Sequence, residues 1–568
     1  MSKKRKKSIL HTLLISILIL FVCISGFALW FSQHYKAIIR KHLPEWVAKA
    51  TDSVYHISFD DISINVFTRS VTVTGIKFWP DSLQLEVRKQ TKRRVFTTTV
   101  NTIVKLEATG IDWGKLSHKE LYCRHITLYQ PQSNILTDLS RKGLEERIPF
   151  KISKGVIERM FVEQIEIIDP DISFHYIGRN NTYYCYMKKG KVILNNWAMD
   201  IDNTKDTSSF LYAKNGSVLF ESFIYREDSS LYQVKSTSLD FSSNSNSIKL
   251  KDLTIAPLMR RDEFYQKIGH QKEIYNLHFP EIEIVDFNWK KLISDVQLHA
   301  SVVNVTNPSV DIFFSTIPTP DTGSRVGNFP QQLLQKWGWN VSFNRINIKN
   351  AHIKYSELSQ ETHKTGIVVF DNIHGSLTNV TNIDSLMHIN KHCVIKLSGK
   401  CMQTSPIDVI FDLVLPDKFG YFTMDGSMKN LDAKQIAAPS LALAMADIKS
   451  FHLQEMKMHV EGNQNYSKGS FSFQYTNLSM ELEKMNKDSK ISAMPTLSWM
   501  TNKLFVFPDN PMPGKDVRTE TTYLERDKQK SFFILIWKNI YIGAQESAVR
   551  NKHLLEVLRK STFGIHLR

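Results

Sequence analysis

Cysteine is scarce, with five in 568 residues. Cys23 lies inside an apolar N-terminal run, while Cys123, Cys185, Cys393 and Cys401 are scattered and form no C-x-x-C pair. That pattern excludes a disulfide framework and a cysteine zinc site. Buried free thiols and a single Cys393–Cys401 bridge across a hairpin both stay open. Reactive signatures are missing too: there is no Gly-rich phosphate loop ending in Gly-Lys-Ser/Thr, no G-x-S-x-G elbow and no H-E-x-x-H. His388, His392 and Cys393 have ligand-like spacing, but no nearby acid or cysteine completes a shell, so no metal site is expected. Asp60-Asp61 and Glu145-Glu146 read as solvated surface. The expectation is a chain that is not an enzyme and has neither catalytic residues nor a cofactor.

Charge of one sign is in moderate excess, with 72 Lys and Arg against 56 Asp and Glu. A net +16 favours polyanions. No dense basic stretch interleaved with stacking aromatics follows residues 3–7, so nucleic acid is not an expected partner. At 42% hydrophobic and 23% charged residues the chain has the composition of a folded protein, and its length exceeds what one core serves.

Long apolar runs are absent but for one. Ile9 to Phe31 carries no formal charge and includes Ile9, Leu14, Leu18, Phe21, Phe27 and an interfacial Trp30. About 20 such residues span a bilayer as a helix. Lys3, Lys4, Arg5, Lys6 and Lys7 precede it and hold that end on the cytoplasmic side, so the body is expected beyond the membrane. A cleaved signal peptide is the competing reading, with Gly26-Phe27-Ala28 as its cleavage site.

After an amphipathic stretch at 34–50 the period changes to two. Ile62, Ile64 and Val66 alternate with polar residues, as do Val71 and Val73, then Leu83, Leu85 and Val87. Such segments recur to about Leu482, punctuated by Asn215-Gly216, Asp425-Gly426 and Asp417–Gly420, which read as turns. A motif recurs within them: apolar-x-apolar-x-x-Pro-x-apolar-x-apolar. It occurs at Ile165, Ile167, Pro170, Ile172 and Phe174, and at Val303, Val305, Pro308, Val310 and Ile312. Looser copies are Ile126, Leu128, Pro131 and Ile135, and Ile346, Ile348, Ala351, Ile353 and Tyr355. The first two in chain order stand 39 residues apart and the last two 43. The five-residue step across the proline would flip the side chains of a regular strand, so a kink or bulge is expected at Pro131, Pro170 and Pro308. Pro318, Pro320, Gly323, Gly327 and Pro330 mark a linker, followed by a short helix over 331–339. Near the C-terminus a helix is expected to open at Phe532, with Phe533, Trp537, Ile540 and Tyr541 on one face.

The anchor, the opening Val54–Ile62 and Val73–Asp81, the central Ala351–Tyr355, Gly366–Ile373 and Asn379–Asn382, and the later Lys468–Leu478 together make the chain resemble the AsmA-like family of bacterial envelope proteins. That family is related to TamB and the bridge-like lipid-transfer proteins. The resemblance implies a single-pass inner-membrane protein with a cytoplasmic N-terminus and a periplasmic bulk. The expected fold is mainly β: an elongated, curved antiparallel sheet shaped as a trough, with short flanking helices. Alternation alone leaves a closed sandwich open. The corresponding plan is a basic cytoplasmic tail (1–8), a transmembrane helix (9–31), a juxtamembrane helix (32–50), an N-terminal AsmA-like β body (51–317), a linker and short helix (318–340), a C-terminal AsmA-like body (341–485) and a tail with an amphipathic helix (486–568). Val71, Val73, Ile165, Ile167, Val303, Val305, Val310, Ile346, Ile348 and Ile353 are the candidate groove residues. The implied partners are phospholipid or another acyl lipid, the inner membrane, and an envelope or outer-membrane protein. The implied work is phospholipid transport or outer-membrane biogenesis, and an anchored assembly scaffold is the alternative.

Overall fold

In the computed structural model, the described residues are 33, 36–49, 51–90, 93–94, 97–116, 118–138, 144–145, 158–178, 182–200, 209–295, 297–444, 446–485, 491–493, 502 and 506–550. The anchor residues Ile9, Leu14, Leu18, Phe21, Phe27 and Trp30 lie outside them. No helix among the described residues is long and apolar enough to cross a membrane. Residues 36–49 are helical, and Lys36 and Arg40 tie that helix to Asp61 at 2.8 and 3.6 Å.

The chain is mainly β and divides into two compact units, one of residues 1–230 and 234–246, the other of 231–233 and 247–568. The segment 318–340, expected as a linker, lies inside the second unit and is packed there: Phe329 and Gln331 are fully buried.

In the first unit, Tyr55–Ser58 (β1) and Asp61–Asn65 (β2) both pair with Ser70–Pro80 (β3). Next comes Thr97–Thr109 (β4), which pairs on its other side with both Glu120–Tyr129 (β5) and Gln132–Asp138 (β6). Arg159–Ile168 (β7) and Asp171–Ile177 (β8) follow, then Thr182–Asp200 (β9), Ala213–Glu227 (β10) and Ser238–Ser242 (β11). All these ladders are antiparallel except two: β5 with β7, and β6 with β8, run parallel.

The second unit repeats the scheme. Ser247–Pro257 (β12) pairs with Ile274–Val285 (β13), which pairs with Gln297–Thr306 (β14) and Ser309–Ser315 (β15). Both of these lie parallel to Asn340–Leu358 (β16). An antiparallel series then follows: Thr365–Thr381 (β17), His392–Cys401 (β18), Ser405–Val414 (β19), Phe422–Asp432 (β20), Ala446–Gly462 (β21), Tyr466–Met485 (β22) and Thr519–Glu525 (β23). The expected antiparallel sheet is therefore mixed. In each unit the parallel contact joins two copies of the proline motif, in the register its spacing prescribes. Glu120 faces Arg159 and Gln132 faces Asp171, both 39 residues on; Gln297 faces Asn340 and Ser309 faces His352, both 43 on. A parallel pair needs a crossover of a dozen residues or more, and in the second unit residues 316–339 with the helix Pro330–Lys336 supply it.

Pro131, Pro170 and Pro308 stand buried between strands, each after a residue of positive φ: Gln130 (48°), Asp169 (51°) and Asn307 (53°). Ala351, the proline's substitute in the fourth copy, follows Asn350 at 54°. The neighbours stay hydrogen-bonded through the break. Gln130 N donates to Ile168 O at 2.8 Å, Asp171 N to Pro131 O at 2.9 Å, and His352 N to Pro308 O at 2.8 Å. The parallel ladders keep one count of residues across the break, whereas β17 shifts register there against β16 and β18, and the left-handed positions form a crease across several of the strands. In the first unit it runs through Gly75, Gln130, Asp169 and Lys189, and in the second through Asp252, Asn307, Asn350 and Asn372. Asn and Asp tolerate this conformation because their short polar side chains bond locally. At Gly75 a Cβ would stand 1.9 Å from Asp60 Oδ2, so a side chain there would displace that carboxylate.

Two expected turns are not turns. Asn215-Gly216 and Asp425-Gly426 lie within β10 and β20, where the missing side chain makes room for a neighbour. A Cβ on Gly216 would meet Leu194 Cδ2 at 2.8 Å and one on Gly426 would meet Met458 Cε at 2.2 Å. Asp417–Gly420 does turn, with Gly420 at φ 70° donating to Asp417 O. Leu83, Leu85 and Val87, taken for a strand, lie on the helix Ser82–Gln90.

Candidate functional site

Directly paired residues share a face of a sheet, so the registers show which side chains line up across the strands. In the first unit one row is Ile62, Val73, Leu106, Leu128, Ile167, Val192, Val218 and Phe241, and the next is Ile64, Val71, Ala108, Ile126, Ile165 and Leu194. In the second unit Ile248, Ile284, Val303, Ile346, Leu377, Ile395, Phe411, Met424 and Val460 make one row. Leu250, Ile282, Val305 and Ile348 begin another. Beyond the crease Ile255, Leu277, Val310, Ile353 and Phe370 continue the apolar pairing. All ten candidate groove residues thus lie in such rows. Val303 is buried and the other nine are half-buried.

Among the described residues the rows are closed only in part. Over the later strands of the second unit, the helix Phe532–Ala548 lies on the apolar face and buries Phe532, Leu535, Ile536, Asn539, Gly543 and Ser547. Phe532 meets Phe422 and Phe329 with ring centroids 4.8 and 4.9 Å apart. A buried polar latch fixes the helix: Asn539 Nδ2 donates to Ser467 Oγ at 2.7 Å, and Thr522 Oγ1 donates to Asn539 Oδ1 at 2.7 Å. Of the face read from the spacing, Ile540 packs against this core while Phe533 and Trp537 are exposed. The helix is apolar nearly all round at its start, so several stripes satisfy the same spacing, and the Asn539 and Gly543 contacts select one.

Ionisable groups gather where β13, β15 and β16 end. Tyr355 Oη donates to Glu357 Oε2 at 2.7 Å. Burial pushes the Glu357 carboxyl up, against the Tyr355 hydrogen bond and the charge of Lys530, and it pushes the Tyr355 phenol far up. Tyr275 and Tyr265 are pushed up to about 12 by burial. Glu273 is held by Arg325 at 2.9 and 3.0 Å, and Asp321 lies 3.6 Å from the same guanidinium. Arg325, Lys530, Phe314 and Ile534 line a cleft beside them. Phe314 is in phase with Val310 and Ile312 on its strand, so β15 presents those residues toward the side from which the C-terminal helix packs.

The remaining candidates are held apart. His388 Nδ1 contacts Asp384 O of its own helix and His392 contacts Asp412, while Cys393 is buried. No cluster of three or more metal-ligating residues occurs among the described residues. Cys393 and Cys401 are both free, at opposite ends of the single strand β18, so no hairpin bridge joins them, and burial pushes both thiols up to about 11.

No protein-family model and no curated protein matches this sequence. Among solved structures, the C-terminal domain of the sex pheromone staph-cAM373 precursor from Staphylococcus aureus aligns at 8% identity with a TM-score of 0.08. The alignment covers 48% of this chain and 64% of that domain, less than two thirds of its length, and a score so low carries no argument about fold or function.

Proposed function

We propose that this chain is a membrane-anchored envelope protein that shelters acyl chains of phospholipid on the apolar face of its sheets and so contributes to phospholipid transport or outer-membrane biogenesis. The carrying observation is the unbroken apolar row from Ile62 to Phe241 in the first unit, whose central members Val73, Leu106, Leu128 and Ile167 are only half-buried. Each CH₂ moved from water to such a wall is stabilised by ~0.8 kcal/mol. The ionisable groups around Glu357 offer a polar terminus beside the corresponding rows of the second unit. The family resemblance supports the same reading, including an inner-membrane anchor, a periplasmic body and no catalytic activity.

The test is mass spectrometry of lipid extracted from the purified full chain. Phospholipid should co-purify with the wild type, be lost from Ile167→Glu and Val305→Glu, and be retained by Thr127→Glu, whose position pairs with Glu107 in the alternate phase. Lipid-free wild type, or equal lipid in all four proteins, would remove the proposal. The sealed rows beneath Phe532–Ala548 favour a second reading, an anchored scaffold. Lipid-free material that captures one specific envelope protein would select it.

A further inference from the structure

The loops joining the strands of the second unit at one end expose apolar side chains that the sheet leaves unused. They belong to the helix Pro330–Lys336 with the turn after it, the helix Asp384–Ile389, and the turn at 415–421. Hydrogen bonds join them into one rim. Asn382 Nδ2 donates to Leu334 O and Trp339 O, Leu415 N donates to Lys391 O, and Gln332 Nε2 donates to Lys418 O at 3.0 Å. Packing beneath the rim is complete, since Phe329, Met387 and Leu415 are buried in the core. Its outer surface is different. Ile389 is 82% exposed, Phe419 56%, Leu333 and Trp337 52%, and Trp339 45%.

We infer that this rim, Leu333, Trp337, Trp339, Ile389 and Phe419 with Lys336, Lys391 and Lys418, is a docking surface for an anionic lipid bilayer. Five large apolar side chains on successive loop tips can each enter an acyl boundary without a matching pocket. Tryptophan pairs an apolar ring with an N–H suited to the headgroup level. The three lysines are exposed, against Asp384 and Asp417, and Asp417 is turned inward to accept from Tyr421 N at 3.0 Å. This surface is independent of the sheltered rows: a scaffold without lipid cargo would dock by it equally well.

The test uses the full chain, kept soluble in amphipol, with Ile389→Cys carrying a nitrobenzoxadiazole probe. The control probe is on Lys457→Cys, an exposed position in mid-strand. On titration with phosphatidylglycerol vesicles the Ile389 probe should brighten and be quenched by acyl-brominated lipid, while the Lys457 probe should do neither. Trp337→Ser with Trp339→Ser should weaken the vesicle midpoint by about tenfold, and each of Lys336→Gln, Lys391→Gln and Lys418→Gln by roughly fivefold at low salt. All seven substituted residues are exposed, so thermal melts should stay with the wild type. Equal behaviour of the two probes, or an unchanged midpoint in the tryptophan variant, overturns the inference. So does brightening with protein concentration alone, which would assign the rim to a second copy of this chain.

Discussion

Ile126 in the first unit and Phe411 in the second occupy comparable places, each in an apolar row a few strands along, yet their surroundings differ. Among the described residues, Ile126 packs on a cluster with three buried members, Ile111, Cys123 and Val162. Phe411 packs on a cluster of eighteen, three of them supplied by the helix Phe532–Ala548. The strand scheme, the parallel pair and the crease are common to both units, so sheet construction does not cause the difference. Among the described residues, a helix and its polar latch complete one core, while the rows of the other stay half-buried.

The largest test of this contrast is core truncation. Phe422→Ala should cost about 3–5 kcal/mol, and Ile126→Ala about 1–2 kcal/mol because less area returns to water. Denaturant unfolding, read by probes in each unit, measures both, and equal costs would break the comparison. Next comes the latch: Asn539→Ala orphans the buried hydroxyls of Ser467 and Thr522 and should cost about 1–3 kcal/mol, confined to the second unit's transition. The common crease predicts equality instead. Asp169→Val and Asn350→Val each force a β-branched residue into the left-handed region and should each cost about 1–2 kcal/mol; a cost in one unit alone would mean that the creases are built differently.

The smallest effect concerns Glu357, whose folded carboxyl is raised by burial. A raised acid favours the fold fully below its ordinary titration range and loses that contribution as pH rises through the folded value. Glu357→Gln should therefore gain on the wild type between pH 4 and pH 8, seen as a melting-temperature difference that grows with pH. A difference independent of pH would place Glu357 in water.

Much of this organisation was written in period and spacing. Alternation at Ile62–Ile64 and Val71–Val73 placed the strands, and the 39- and 43-residue separations turned out to be the registers of the two parallel pairs. Direction was not legible, because a period of two fixes a side chain's face but says nothing of whether its neighbour runs the same way. Asn215-Gly216 and Asp425-Gly426 misled because glycine serves a close approach as well as it serves a turn. The buried stripe of Phe532–Ala548 was hidden by an apolar surplus, and the Glu357 grouping by the 84 residues between Glu273 and Glu357, which only the ladders bring together. Whether residues 9–31 form the expected anchor falls outside the described residues.

The crease also limits how such a chain can change in length. The parallel pairs match residue for residue across it, with left-handed positions at Gln130 and Asp169 in one unit and at Asn307 and Asn350 in the other. One residue inserted between Ile165 and Phe174 would therefore put Asp169 out of line with Gln130 on one side and Gly190 on the other. Variants lengthened by a residue should survive at the loop tips and fail across the middle, and an insertion scan would trace the line as a stripe of intolerance running at right angles to the strands.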